Sequence, residues 1–446
     1  MARKLTLAFL KTETTSGSVL GLAALAALVV ANSPWSADYF AMLKSYLPVS
    51  IGDFTVSLTI SDWIKEGLMA LFFLIVGLEI KHEILKGELS DPRKLATPVI
   101  AAAAGMIAPA FVYLKVAEMM GGPVEGWSIP VATDIAFALA IFAVVARGLP
   151  ASLRIFLLTL AIVDDLGAIL IIGAVFSTGV VISQLLMALA GLVLIAMLAR
   201  GFRLGPPLWT LGFAWVWYFT VQAELSTSLA AVAFAAIVPI RPREPGHKSP
   251  LKSAIAVLHP WVAFGVLPLF AFAKAGFSFA GLSLDRLLSP VAIGIALGLF
   301  FGKQAGVMLA VFVTTLLRIG KKPTGASWSE IYGVSLLCGV GFTMSLFIGA
   351  LAFPGALDSP AQVDVKLGVL TGSLASALLG AWVLARASGR RTIAARRAAL
   401  AETPSAPGDA VLPAISEPEA PLPEPEPADS GPASGGEGGE PAPQPA

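Results

Sequence analysis

The chain has 446 residues, 56% of them apolar and only 13% charged, and its mean hydropathy is +0.81. Soluble domains carry about 25% charged residues, so composition excludes a water-soluble fold and predicts an all-α polytopic membrane protein. The net charge of +1 hides an asymmetry: 401–446 holds nine acids and no Lys or Arg, so all 30 basic residues and the other 20 acids lie in 1–400, a net +10 there.

A membrane helix needs about 20 mostly apolar residues. On that basis twelve spans are predicted, near 13–32, 62–84, 95–116, 122–144, 151–176, 180–199, 206–221, 224–240, 255–276, 290–316, 328–353 and 361–386. The first run follows Arg3, Lys4 and Lys11 and is read as a span, because Ala31-Asn32-Ser33-Pro34 is a weak cleavage site. Between the first two spans, Val49 to Ile60 alternates apolar and polar residues around Gly52-Asp53, which predicts a hairpin over about 46–60. A lone two-stranded hairpin is marginal, so it either pairs with a second copy or is a surface loop.

Basic residues test the count. Lys81, Lys86, Arg93 and Lys94; Arg147 and Arg154; Arg200 and Arg203; Arg241, Arg243, Lys248 and Lys252; Arg318, Lys321 and Lys322; and the cluster Arg386 to Arg397 all fall on alternate links. That side is read as cytoplasmic and holds both termini. The domains expected are a transmembrane unit over 1–387, a basic helix end over 388–402 and a disordered Pro/Glu/Ala-rich tail over 403–446.

Three acids stand out. Asp134 lies in Thr133-Asp134-Ile135-Ala136, and Asp164-Asp165 in Ala161-Ile162-Val163-Asp164-Asp165-Leu166-Gly167. Asp164 is ten residues from Arg154, which at 1.5 Å per residue is ~15 Å deep, near the centre of a ~30 Å core. Intramembrane acids are costly and usually mark ion pathways; the plainer alternative is a structural ion pair. Helical neighbours point about 100° apart, so one aspartate can meet a neighbouring helix while the other faces a cavity. The counter-charge is Lys303, mid-span and fifteen residues from Arg318, for which pairing with Asp164 or Asp165 is predicted.

The fourth span is expected to break near Ser128-Ile129-Pro130, and the eleventh in Cys338-Gly339-Val340-Gly341-Phe342-Thr343, where the glycines weaken a helix. Asp134 would then offset the positive ends of the half-helices and Lys303 the negative ends. Close helix packing is the other use for Gly339 and Gly341. Glu79 and Glu83 share a helix face at the end of the second span and suit a cation funnel or a solvated helix end. His259 is read as structural.

Together Ala132 to Leu139, Leu160 to Ile169, Phe72 to Glu79, Gly302-Lys303, Leu267 to Ala273 and Cys338 to Ser345 resemble the NhaA-type sodium/proton antiporters over roughly 9–386. The resemblance implies export of sodium or lithium for more than one proton, hence electrogenic exchange by alternating access, serving pH and sodium homeostasis in the bacterial inner membrane. It implies an inverted-repeat core of spans 3–5 and 10–12, an architecture of which that family is itself a standard example. Asp164 and Asp165 match the cation and proton site, Lys303 the essential lysine, and Thr133 and Asp134 the crossing of the broken helices. A homodimer through the external hairpin is implied, with membrane lipid around it, no nucleic acid and no cofactor besides the transported ions. The usual pH-sensing side chains are replaced by Ser226, Ser253, Ile255 and Ala256, while Glu79, Glu83 and Lys252 remain, so a weaker or shifted pH response is expected. Lys274 replaces a polar residue and is expected to snorkel at the external interface.

Two rival functions fit an acid-bearing membrane core less well. An intramembrane aspartyl protease would need Tyr-Asp and Gly-x-Gly-Asp, but Thr133 and Val163 precede the acids. A sodium-coupled solute symporter on a similar fold is the nearer alternative.

Overall fold

Several helices start where serine precedes proline, because the serine hydroxyl takes an orphan N–H and proline needs none. Ser249 accepts from Lys252 N–H at 3.2 Å, Ser289 from Ala292 N–H at 3.2 Å and Ser359 from Gln362 N–H at 3.4 Å. The computed structural model describes residues 2–52, 54–87, 92–176, 179–202, 204–241, 249–280 and 282–402, and the backbone alone for 2–13, 51, 92–95, 284 and 395–402. The tail expected over 403–446 lies outside the described residues, as do Asp53, Arg203, Arg243 and Lys248.

In chain order, α1 (Ala2–Ala31) and α2 (Ser36–Lys44) precede strands β1 (Tyr46–Ile51) and β2 (Phe54–Thr59). The strands pair antiparallel from Tyr46↔Thr59 to Ile51↔Phe54, and Gly52 takes φ +61° in the turn, as the sequence predicts. A wide π turn, Trp63–Leu68, leads into α3 (Met69–Lys86), and α4 is Pro92–Met120. The fourth span is a 3-10 segment, Glu125–Val131, then a break, then α5 (Ile135–Val145). Next come α6 (Ala151–Val175), α7 (Ile182–Gly201), α8 (Pro206–Gln222), α9 (Thr227–Ile237), α10 (Pro250–Trp261) and α11 (Leu267–Ala275). A π turn, Gly298–Gly302, joins α12 (Pro290–Leu297) to α13 (Lys303–Leu316). The eleventh span is α14 (Trp328–Leu337) and α15 (Phe342–Ala352), bent by 43° at its break. The last helix, α16, is Pro360–Glu402.

Among the described residues, eight helices are long and apolar enough to cross a membrane, or nine with the bent α14–α15 pair as one span. The three other predicted spans are helical but do not qualify alone: α3 carries charge at its end, and α8 and α9 have 17 and 11 residues. At 43 residues, α16 is ~64 Å long, so it outruns a ~30 Å core. Residues 1–396 form one compact unit; of the second, 397–446, only the backbone of 397–402 is described, and it is helical.

Within the first unit, α3 packs with α9, α10 and α11, while α4 packs with α6, α12 and α13. Glycine sets how closely the second group packs: a Cβ on Gly302 would lie 2.5 Å from Pro109 Cα of α4, and one on Gly306 would collide with the Ala104 carbonyl. That close approach brings Lys303, the first residue of α13, into the protein interior.

Candidate functional site

The three acids, Thr133 and Lys303 converge on the two helix breaks, all of them 2% exposed or less. Lys303 Nζ hydrogen-bonds Asp164 Oδ2, so the predicted ion pair forms, and with Asp164. Thr133 Oγ1 lies 2.6 Å from the same Oδ2 and 2.8 Å from the Cys338 carbonyl at the end of α14. A hydroxyl has one proton, so Thr133 donates to one of these acceptors at a time.

Asp165 points elsewhere, as the helical angle predicted. Neither of its carboxylate oxygens has a hydrogen-bond partner among the described residues, nor does Asp164 Oδ1. Asp165 lines a cavity of about 750 Å³ that extends toward the face opposite the hairpin, past Glu79, His82 and Glu83 at the end of α3 and Lys252 at the start of α10. Ile255, Ala256 and His259 also line it. His259, expected to be structural, therefore stands on the cavity wall. Ser226 and Ser253 are not among the lining residues; Ser226 Oγ bonds Ser228 Oγ at 2.5 Å.

Asp134 holds the two broken spans together. Its backbone N–H donates to the Val340 carbonyl at 2.7 Å, and its Oδ1 accepts Phe137 N–H at 3.0 Å, capping α5. Oδ2 accepts from Thr343 N–H at 3.1 Å and Thr343 Oγ1 at 2.5 Å, at the start of α15. A carboxylate between two helix N-termini meets both positive dipole ends, which is the compensation predicted for it. Lys303, by contrast, bonds a carboxylate rather than the carbonyl end of a half-helix.

Both uses foreseen for Gly339 and Gly341 hold. The chain breaks there, and a Cβ on Gly339 would meet the Leu299 carbonyl while one on Gly341 would meet the Leu299 side chain. Lys274 corrects an expectation. It is 5% exposed and does not snorkel; its Nζ donates to Ser61 Oγ at 2.6 Å, because α11 ends beside the Ile60–Asp62 turn.

Sequence reasoning missed Ser373. Its buried hydroxyl, on α16, accepts Gly341 N–H at 3.2 Å and Phe342 N–H at 3.1 Å, capping α15 from another helix. It also missed Gln304, whose amide donates to the Phe300 carbonyl in the π turn at 2.7 Å and whose oxygen accepts from Tyr332 at 2.6 Å. Polar residues inside apolar spans were the available signal, but their partners lie on other helices.

Two buried carboxylates with three unbonded oxygens, beside one lysine and one hydroxyl, form an acceptor-rich site. It suits a small hard cation or protons, since carboxylate oxygens take either. The sequence matches the family described as Na+/H+ antiporter 1 over residues 7–384. It is 46% identical over 382 residues to the Na(+)/H(+) antiporter NhaA 2 of Pseudomonas syringae pv. syringae, covering 85% of this chain and 94% of that relative. It is 48% identical over 381 residues to the Na(+)/H(+) antiporter NhaA of Bordetella parapertussis, covering 84% and 94%. With Syntrophotalea carbinolica NhaA 1 the identity is 42% over 387 residues, covering 87% and 97%. With a family match along nearly the whole membrane unit and relatives this similar over most of their own length, the chain belongs to the Na+/H+ antiporter 1 family, a family of transporters rather than of catalytic enzymes.

Proposed function

We propose that this protein is an electrogenic antiporter that exports sodium, or lithium, in exchange for more than one proton, and so supports pH and sodium homeostasis. The observation that carries the reading is the split at the aspartate pair: Asp164 is held by Lys303, and Asp165 faces the cavity with both oxygens unbonded. Cation and protons compete for these two carboxylates. Sodium arriving through the cavity displaces protons from them, and Asp164 exchanges its Lys303 contact for the ion. Thr133 turns its single proton toward the Cys338 carbonyl and offers a lone pair to the site. On the other face, returning protons displace the sodium. More than one proton per sodium moves net charge and makes the exchange electrogenic.

The scaffold reading is twelve spans with an inverted-repeat core of spans 3–5 and 10–12, set in the bacterial inner membrane with both termini cytoplasmic and the hairpin external. Glu79, Glu83 and Lys252 form the cytoplasmic funnel. The hairpin is a dimer contact between two copies, supported by the exposure of Tyr46 (71%), Leu47 (51%) and Phe54 (44%).

Transport in everted membrane vesicles tests the function. Added sodium should drive protons out of the lumen without any organic solute, and Asp164→Asn or Asp165→Asn should abolish the response. Normal transport by either variant would remove the central assignment, and a response that requires a co-solute would favour a sodium-coupled symporter.

A further inference from the structure

The two helix groups meet along a seam that holds the cavity toward one face. Toward the hairpin face the seam is filled by rings, with Phe347 of α15 at 5.2 Å from Phe73 of α3 and 6.2 Å from Phe270 of α11. Beyond these rings, charged groups tie it. Lys366, near the start of α16, is 2% exposed. Its Nζ donates to the Gly276 carbonyl at 2.8 Å and to the Leu357 carbonyl at 2.9 Å. Gly276 caps the carbonyl end of α11, where the helix dipole is negative and a cation is favoured.

The bridge joins α16 to the end of α11. α16 packs on α12, α14 and α15: a Cβ on Gly368 would touch the Ala292 carbonyl, and Leu384 reaches Gly333. α11 instead packs mainly on α1, and it also touches α15 and α3. A second bond crosses the same seam at the same face. Tyr39 anchors α2 on α11 by donating to the Phe272 carbonyl at 2.6 Å, and Lys44, at the end of α2, pairs with Asp358 at 2.8 Å, one residue beyond Leu357. A buried ammonium satisfied by two carbonyls is expensive to strand, so the closed arrangement is favoured until water can replace them.

We infer that Lys366, assisted by the Lys44–Asp358 pair, is a latch that holds the hairpin face shut while the cavity is open to the other face, and that it releases when the site turns toward the hairpin. The inference rests on the alternating-access reading above. A residue that favours one of two states changes apparent affinity on each face through the fraction of the competent state.

The test uses the full chain in proteoliposomes of known orientation, with the apparent sodium affinity measured from each face. Lys366→Met should strengthen affinity at the hairpin face relative to the other by about threefold or more, and Lys366→Arg, which can still donate to carbonyls, should restore the wild-type ratio. Asp358→Asn should shift the ratio the same way by less. A fall in melting temperature with an unchanged ratio would make Lys366 a helix-end ligand and overturn the latch. A second test does not depend on the Met variant folding: a protein with Lys44→Cys and Asp358→Cys is joined by a short bismaleimide. Flux should stop on linking, with wild type treated alike as the control for buried Cys338. Undiminished flux after linking overturns the latch, whereas absence of sodium-driven proton movement in wild type would remove the antiporter reading instead.

Discussion

Asp134 and Asp165 are both acids in apolar sequence, and the fold treats them in opposite ways. Around Asp134 both oxygens have donors, three in all, and its own N–H is bonded across to the other broken span. Around Asp165 neither oxygen has one among the described residues, and the side chain lines the cavity. A carboxylate whose lone pairs are spent on helix ends is a strut. One whose lone pairs are unspent is a ligand.

The most forceful way to break this contrast is to neutralise each acid in turn. Asp165→Asn should lower sodium-driven proton flux by more than about 100-fold, as removal of a group the chemistry uses directly does. Asp134→Asn should instead cost about 2 kcal/mol of stability, from the loss of hydrogen bonds to a charged group, with a smaller loss of flux. Thermal unfolding and flux measured on both variants decide it: similar flux losses with unchanged melting would erase the distinction.

Thr133→Val sharpens the boundary between the two regions, since Thr133 reaches both Asp164 and the α14 end. Its apparent sodium affinity should weaken about tenfold, one hydrogen bond to a charged group being worth that much, with Thr133→Ser near wild type. A weaker effect is expected from pH. A proton competing for the cation's oxygens raises the apparent sodium KM as pH falls, by at most about tenfold per pH unit for each proton displaced. A KM flat between pH 6 and 9 would separate the protons from the sodium site. Ser226→His should change least, moving the activity profile by less than about one pH unit, the range over which a histidine titrates. Ser226 lies away from the cavity lining, bonded to Ser228, and an unchanged profile would remove it from pH sensing.

A separate electrostatic effect, on stability, belongs to the hairpin face. Lys44 holds the Asp358 carboxyl below its ordinary range. This stabilisation is present above the ordinary aspartate pKa and is lost as pH falls through the depressed value. With both side chains about half exposed, its contribution is small.

The sequence by itself determined the membrane environment, the helical class, the hairpin and the two breaks, because these follow from apolar run length and turn chemistry. It also pointed Lys303, mid-span and fifteen residues from Arg318, to an aspartate, with the negative ends of the half-helices as the other charge it would offset. Only the tertiary structure decided which aspartate Lys303 takes, that Asp134 ties α5 to α15, that Ser373 caps α15 from α16 and that Lys274 is buried against Ser61. Each depends on which helices lie side by side, and glycine contacts such as Gly302 on Pro109 fix that adjacency. Periodicity within one helix gives the direction in which a side chain points, but the group that meets it there belongs to another part of the chain.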